Sequence, residues 1–220
     1  MKISLSLQFL PVVFSLLGSS IGCSSELMRK EMQAGNFNRE YFVHLPSTYR
    51  EHQVAPVVLV FHGGGGNAQQ IAKFSGFNKI SEEKGFLVLY PEAIDKHWND
   101  GRESARFQEH DEKVNDVAWI DTLITELKTT YSVDNKRIYA VGISNGGIFS
   151  QRLAIELSQH FAAIASLTAQ IAKPLAKTQP TNPISVLIMN GTKDPFVPYE
   201  GGEVTPTLFP RFSKMLKKPS

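Results

Sequence analysis

Gly142-Ile143-Ser144-Asn145-Gly146 decides how the rest of this sequence is read. The five residues follow an apolar run, Arg137-Ile138-Tyr139-Ala140-Val141, and precede a stretch with apolar residues at helical spacing. That order predicts a strand, a sharp turn with a serine at its apex, and a helix. G-x-S-x-G in that setting fits a nucleophile elbow, which stands a serine Oγ above a sheet at the start of a helix. The flanking glycines have a steric reason. The turn imposes strained backbone angles at Ser144, and a Cβ on either side would crowd the neighbouring strand and helix.

Working outward, residues 39 to 45 alternate, with Tyr41, Val43 and Leu45 on one face, and read as an antiparallel first strand. Residues 57 to 61 form a valine-rich apolar run, as expected of a strand buried on both faces. His62 and four glycines follow, and Asn67 is placed to cap a helix running towards Lys84. Residues 86 to 90 read as a second buried strand. Residues 91 to 115 lack periodicity and hold many charges, so a long loop with at most a short helix is expected there. Asp116 is expected to cap an amphipathic helix with Val117, Ile120, Leu123, Ile124 and Leu127 on one face. Trp119 falls among these apolar neighbours and reads as core. The elbow helix covers residues 146 to 159, and residues 161 to 167 and 184 to 190 read as further strands. Strands alternating with helices imply right-handed crossovers and a parallel sheet. A single α/β domain is expected over residues 37 to 204.

The whole chain of 220 residues is 42% hydrophobic and 20% charged, which suits one globular α/β domain. Its net charge of +2 is unevenly placed. Residues 205 to 220 carry Arg211, Lys214, Lys217 and Lys218 and no acid, so residues 1 to 204 stand at a net −2. The body therefore gives no electrostatic case for nucleic acid. Residues 1 to 22 read as an export signal: Lys2, a mostly apolar run to Leu17, then small residues. The run is too short and interrupted for a membrane span. Cys23, the only cysteine, stands where a bacterial lipoprotein carries its lipidated residue, although Ser20 replaces the usual leucine. Lipidation at Cys23, ordinary cleavage nearby and an uncleaved tail are the alternatives. Residues 23 to 36 are expected as a flexible lead-in, and residues 205 to 220 as a basic tail.

A serine hydrolase needs a nucleophile, a base, an acid that orients the base, and donors for an oxyanion. Ser144 is the candidate nucleophile. The backbone N–H of Asn145 is one candidate donor. A second is expected in the loop after an early central strand, where His62-Gly63-Gly64-Gly65-Gly66 lies, and Gly64 is its candidate. Asp194 follows an apolar run and the turn Gly191-Thr192-Lys193, at the sheet edge where α/β proteins bind ligands. It is the candidate acid; the other reading is a turn aspartate before Pro195. His62, Trp98 and Asn99 are candidate substrate contacts, with Trp98 offering a stacking face or, alternatively, packing the loop onto the domain. Asp100 and Arg102 lie beside them. No metal site is expected.

These segments occur in a telling order: His62-Gly63-Gly64-Gly65-Gly66, Tyr90-Pro91-Glu92, Trp98-Asn99-Asp100-Gly101-Arg102, Gly142 to Gly147, and Asn190-Gly191-Thr192-Lys193-Asp194-Pro195. Together they resemble the polyhydroxybutyrate depolymerase and feruloyl esterase family, related to carbohydrate esterases, over roughly residues 37 to 204. The resemblance implies an α/β-hydrolase fold, a Ser-Asp-His triad and no cofactor. It implies hydrolysis of carboxylic esters, such as feruloyl or acetyl groups on plant polysaccharide or hydroxyalkanoate oligomers, by an exported enzyme of the cell envelope or exterior.

The chain departs from that pattern in one respect. Its six histidines are at 44, 52, 62, 97, 110 and 160, and none follows Asp194. The sheet is accordingly expected to lack its last strand and helix and to leave an exposed edge. Three accounts stand open. The sequence is cut short or changes frame near Val204; or the chain is a non-catalytic relative that binds carbohydrate or polymer; or His97 or His110, in the long loop, substitutes as base. On each account little or no turnover is expected unless the third holds.

Overall fold

The computed structural model describes residues 27–202. The export segment, Cys23 and the basic tail lie outside the described residues. Seven strands form one sheet: β1 Met28–Ala34, β2 Phe37–His44, β3 Ala55–Phe61, β4 Leu87–Pro91, β5 Val133–Ile143, β6 Ala163–Leu167 and β7 Ser185–Met189. Their order is β1-β2-β4-β3-β5-β6-β7. The pairs β1–β2 and β2–β4 are antiparallel and the rest are parallel. Five helices accompany them: α1 Ala68–Ser75, α2 Phe77–Lys84, α3 Gln108–Lys113, α4 Asp116–Thr130 and α5 Asn145–Glu156.

The central strands owe their burial to helices on both faces. Val57, Leu59 and Phe61 of β3 face one core with Ile120, Leu123 and Ile124 of α4 and Phe149 and Leu153 of α5. Val60 of the same strand faces the other core, with Ala68, Ile71 and Ala72 of α1 and Val88 and Tyr90 of β4. The parallel register carries the C-terminal ends of β3, β5, β6 and β7 to one edge of the sheet.

Three expectations are corrected. The supposed lead-in contains β1, which pairs with β2 across a turn in which Gly35 adopts φ 58°. Lys30 interrupts its inward row of Met28, Met32 and Ala34, while Arg29 and Glu31 lie on the opposite face, which this edge strand shows to water. The helix expected from Asn67 to Lys84 is two helices. Gly76 at φ 71° ends α1 and starts α2, and Asn67 Oδ1 caps α1 by accepting from Gln70 N at 2.8 Å. The cap of α4 is Asn115, whose Oδ1 accepts from Ala118 N at 3.0 Å, and not Asp116. Asp116 is instead buried against Arg39 of β2, with Nη2 to Oδ1 at 2.6 Å. Among the described residues, no strand pairs with the outer side of β7. Val186, Leu187, Ile188 and Met189 are each about half exposed (48–56%).

Candidate active site

Ser144 stands between β5 and α5 with φ 54° and ψ −123°, a conformation few L-residues adopt. Two close approaches hold it there. A Cβ on Gly142 would overlap the Gly146 carbonyl, and a Cβ on Gly146 would overlap the carbonyls of Phe61 and His62 at the end of β3. Only hydrogen fits at either place, as the motif implied. Ser144 N donates to Leu167 O of β6 at 2.9 Å, and Thr168 N donates to Met189 O of β7 at 2.8 Å. The turn is thereby tied to the two strands that follow it.

The glycine loop lies against the elbow. A Cβ built on Gly63 would be 3.3 Å from Ile143 O and 3.5 Å from Ser144 Cβ, and one on Gly64 would be 3.5 Å from Asn145 Cβ. Gly65 N donates to Lys96 O and Gly66 N to Gly63 O. The amides of Gly64 and Asn145 donate to no protein acceptor among the described residues. Two unspent N–H groups thus sit beside the serine, one of them on the first turn of a helix, where the helix dipole favours negative charge.

His62 is buried, so it offers no surface as a substrate contact. Its Nε2 accepts from Ala93 N at 3.2 Å, which puts the proton on Nδ1, facing Gly63 O at 2.8 Å. The ring therefore braces the glycine loop. Of the two readings of Trp98, the structure takes the packing one and not the substrate contact. It is fully buried, its Nε1 donates to His62 O at 2.9 Å, and its ring stacks between Phe149 (centroids 5.0 Å) and Trp119 (5.9 Å). No face remains for a substrate. Asn99 is spent on the fold as well: its Nδ2 donates to the carbonyls of Asp111 and Val114, and its Oδ1 accepts from Arg152 at 2.5 Å.

The sequence reading gave Asn145 only a backbone role. Its buried side chain accepts from Trp98 N at 2.8 Å and donates to Trp98 O at 2.9 Å and to Asp100 Oδ2 at 2.6 Å. Asp100, itself buried, also takes the Arg102 guanidinium at 2.8 Å. The residue after the nucleophile thus anchors the long loop to the elbow.

Asp194 sits beyond β7, half-buried, in the same row of strand ends as Ser144. Its Oδ1 accepts from Phe196 N at 2.8 Å and Val197 N at 3.0 Å, which orients the carboxylate and leaves Oδ2 uncommitted among these bonds. Ser144 Oγ makes no hydrogen bond among the described residues, to a histidine or otherwise. His97 and His110, the loop candidates for a base, meet Asp111 instead. Burial pushes the His97 imidazole down to about 4, so it is neutral at pH 7. His44 contacts Glu82, and His160 Nε2 lies 2.6 Å from Asp121 Oδ1. Among the described residues no helix is long and apolar enough to cross a membrane.

Comparison with known proteins agrees with this architecture. Residues 40–178 match a family model described as esterase PHB depolymerase. The chain is 31% identical over 192 residues to NocK of Nocardia uniformis subsp. tsuyamanensis, a protein provisionally named an esterase, covering 87% of this chain and 55% of that protein. It is 29% identical over 171 residues to feruloyl esterase B of Piromyces equi, covering 74% of this chain and 31% of that protein. The chain thus spans about half the length, or less, of these relatives. A solved thermostable esterase superposes with a TM-score of 0.63 at 19% identity, covering 80% of this chain and 49% of that one.

Proposed function

The chain belongs to the esterase PHB depolymerase family, and from that membership we propose that it carries the elbow, oxyanion donors and acid of a serine carboxylic-ester hydrolase. Ser144 Oγ attacks the ester carbonyl as a general base takes its proton. The amides of Gly64 and Asn145 then stabilise the developing oxyanion, each worth on the order of 3 kcal/mol in the transition state. Collapse expels the alcohol and leaves an acyl-serine, which water releases by the same steps. Asp194 orients the histidine that serves as base and stabilises its charged form. The observation that carries this reading is the pair of unspent amides beside a serine held at φ 54°.

The substrates we propose are feruloyl or acetyl esters of plant polysaccharide, or hydroxyalkanoate oligomers, met outside the cytoplasm after export. Several curated relatives are named feruloyl esterases and one an acetylxylan esterase/xylanase, which supports the acyl class. No cofactor enters this scheme.

The 220 residues include no histidine after Asp194. Absence of a triad base costs on the order of 10⁴ to 10⁶ in turnover, so this chain alone is proposed to be weak. A second reading, a non-catalytic relative that binds carbohydrate or polymer, rests on the same observation. Turnover of 4-nitrophenyl acetate and methyl ferulate, with and without added imidazole, separates them. The esterase reading expects imidazole to restore part of the turnover, and Ser144→Ala to abolish that part. Binding to xylan or polyester, with no Ser144-dependent turnover under either condition, sinks it. Strong activity without imidazole, lost in His110→Ala, would place the base on the loop.

A further inference from the structure

Three ligand-type atoms converge in the loop that walls the site. His97 Nε2 lies 3.7 Å from Asp111 Oδ1, and His110 Nδ1 lies 2.8 Å from the same oxygen. One ligand atom from each of the three residues lies within 4.8 Å of the other two. His97 is buried, and His110 and Asp111 are half-buried. The residues come from two places, His97 after the short turn Ile94–Lys96, and His110 with Asp111 on α3.

The protons at His110 do not add up for a neutral ring. Its Nδ1 faces the Asp111 carboxylate and its Nε2 faces Ile94 O at 3.2 Å. Both partners are acceptors, and a neutral imidazole has one N–H. The other nitrogen needs a second proton or a metal cation. His97 adds a second lone pair. Its ring is stacked on Phe107 at 3.6 Å, and its nitrogens make no hydrogen bond among the described residues.

We propose that His97 Nε2, His110 Nδ1 and Asp111 Oδ1 bind one divalent metal ion of the zinc class. Two imidazole nitrogens and a carboxylate oxygen form a borderline donor set of the kind zinc takes. Bonds of about 2.0–2.2 Å in a tetrahedron put ligand atoms roughly 3.3–3.5 Å apart. The separations of 3.7 and 2.8 Å from Asp111 Oδ1 bracket that spacing, so the two imidazoles can close on an ion beside that oxygen by side-chain adjustment. The Ile94 carbonyl supplies the outer partner: by taking the Nε2 proton it fixes the tautomer that leaves Nδ1 free to ligate. Asp111 also lines an open groove with Asn99, Glu112 and Arg152, which gives an ion a path from solvent.

Such an ion is a staple, not part of the ester chemistry. It joins α3 to the segment whose next residue, Trp98, bonds Asn145 from both backbone groups. Its presence therefore rigidifies the loop that carries the elbow's anchor. The proposal stands apart from the esterase reading, because its test reads metal binding and not turnover.

The test uses the untagged chain, stripped with chelator and titrated with zinc chloride by calorimetry and with cobalt(II) by visible absorption. One ion per chain is expected, with a cobalt spectrum of low-coordinate N/O ligation and a raised melting temperature. His97→Phe, His110→Gln and Asp111→Asn should each weaken zinc binding by roughly tenfold or more. Cys23→Ser should leave it unchanged. Circular dichroism of the metal-free variants checks that each is folded. For any variant that is not, ¹⁵N shifts of the wild-type imidazoles take its place: zinc must move His97 Nε2 and His110 Nδ1. The proposal is overturned if no stoichiometric ion binds, if binding survives the His97 and His110 variants, or if it is lost with Cys23. It is also overturned if His110 proves doubly protonated with shifts that zinc does not alter.

Discussion

Replacing Asp116 by alanine removes the partner of a guanidinium that the fold has taken out of water. Arg39 is 2% exposed, and its Nη2 lies 2.6 Å from Asp116 Oδ1. Its Cζ sits 3.8 Å over the Trp119 ring. Burial pulls its pKa below the ordinary arginine value, and the Asp116 charge opposes that pull. Without the carboxylate, Nη2 keeps only the Glu92 carbonyl at 3.4 Å, and Nε already has no partner. Removing one partner of a buried pair costs about 3–5 kcal/mol. The Asn99 amide, which donates to Asp116 Oδ2 at 2.8 Å, loses its acceptor too, for about 1 kcal/mol more. In a domain of this size each kcal/mol moves Tm by about 2–4 °C, so Asp116→Ala should melt roughly 8–24 °C lower. The double variant Arg39→Met/Asp116→Leu removes both charges and should recover all but about 1 kcal/mol of the loss. Urea unfolding followed by circular dichroism at pH 7 measures all three proteins. A loss below about 1 kcal/mol in the single variant, or a double variant no better than the single, refutes the reasoning.

Three further outcomes follow from the packing around Ser144, Gly146 and Glu82. Ser144→Gly relieves a backbone strain of about 1–3 kcal/mol, offset in part by the freer unfolded chain, so it should unfold at or above the wild-type urea midpoint; a clearly lower midpoint contradicts the strain. Gly146→Ala drives a methyl to 2.7 Å from Phe61 O, a backbone atom that cannot swing aside, and should cost about 3 kcal/mol or more, whereas near-wild-type stability would show that α5 can shift. Hydrogen bonds from Ser47 N (2.9 Å) and Oγ (2.7 Å) hold the Glu82 carboxyl below its ordinary value. Its stabilisation is therefore present above the unfolded glutamate value of about 4.3 and lost as pH falls through the lower folded value, so Glu82→Gln should flatten the acid limb of a stability–pH curve, and parallel curves would exclude the contribution.

What the sequence disclosed was local. The elbow could be read because strand, glycine, serine, glycine and helix are consecutive, and the close approach at Gly142 is to Gly146, four residues on; the one at Gly146 is to the end of β3, and only the motif announced it. Burial of β3 on both faces showed in its unbroken apolar run. What escaped depended on distant partners. β1 is an edge strand whose charges hide its alternation until β2 is beside it. The break at Gly76 was masked because apolar residues continue through it. Arg39 and Asp116 lie 77 residues apart, and nothing at either position announces a buried ion pair. For Trp98 the sequence left a stacking face and a packing role both open, and only the inward fold of its loop, which puts the ring into a stack, decides for packing.

Asn145 shows why a motif can locate a site without describing it. The turn dictates where its backbone N–H points, so that role follows from five consecutive residues. Its side chain is determined by a loop some 47 residues earlier, and there it meets both backbone groups of Trp98 and the Asp100 carboxylate. Only a primary amide satisfies all three, since it alone offers one acceptor and two donors in one plane. A carboxylate would face Asp100 with like charge, and a hydroxyl is too short to span the gap. The chemistry of the turn therefore constrains position 145 through its backbone, while the identity of the side chain is set by holding the loop. These are separate demands on one residue, and they couple the oxyanion donor to the loop that holds His97, His110 and Asp111.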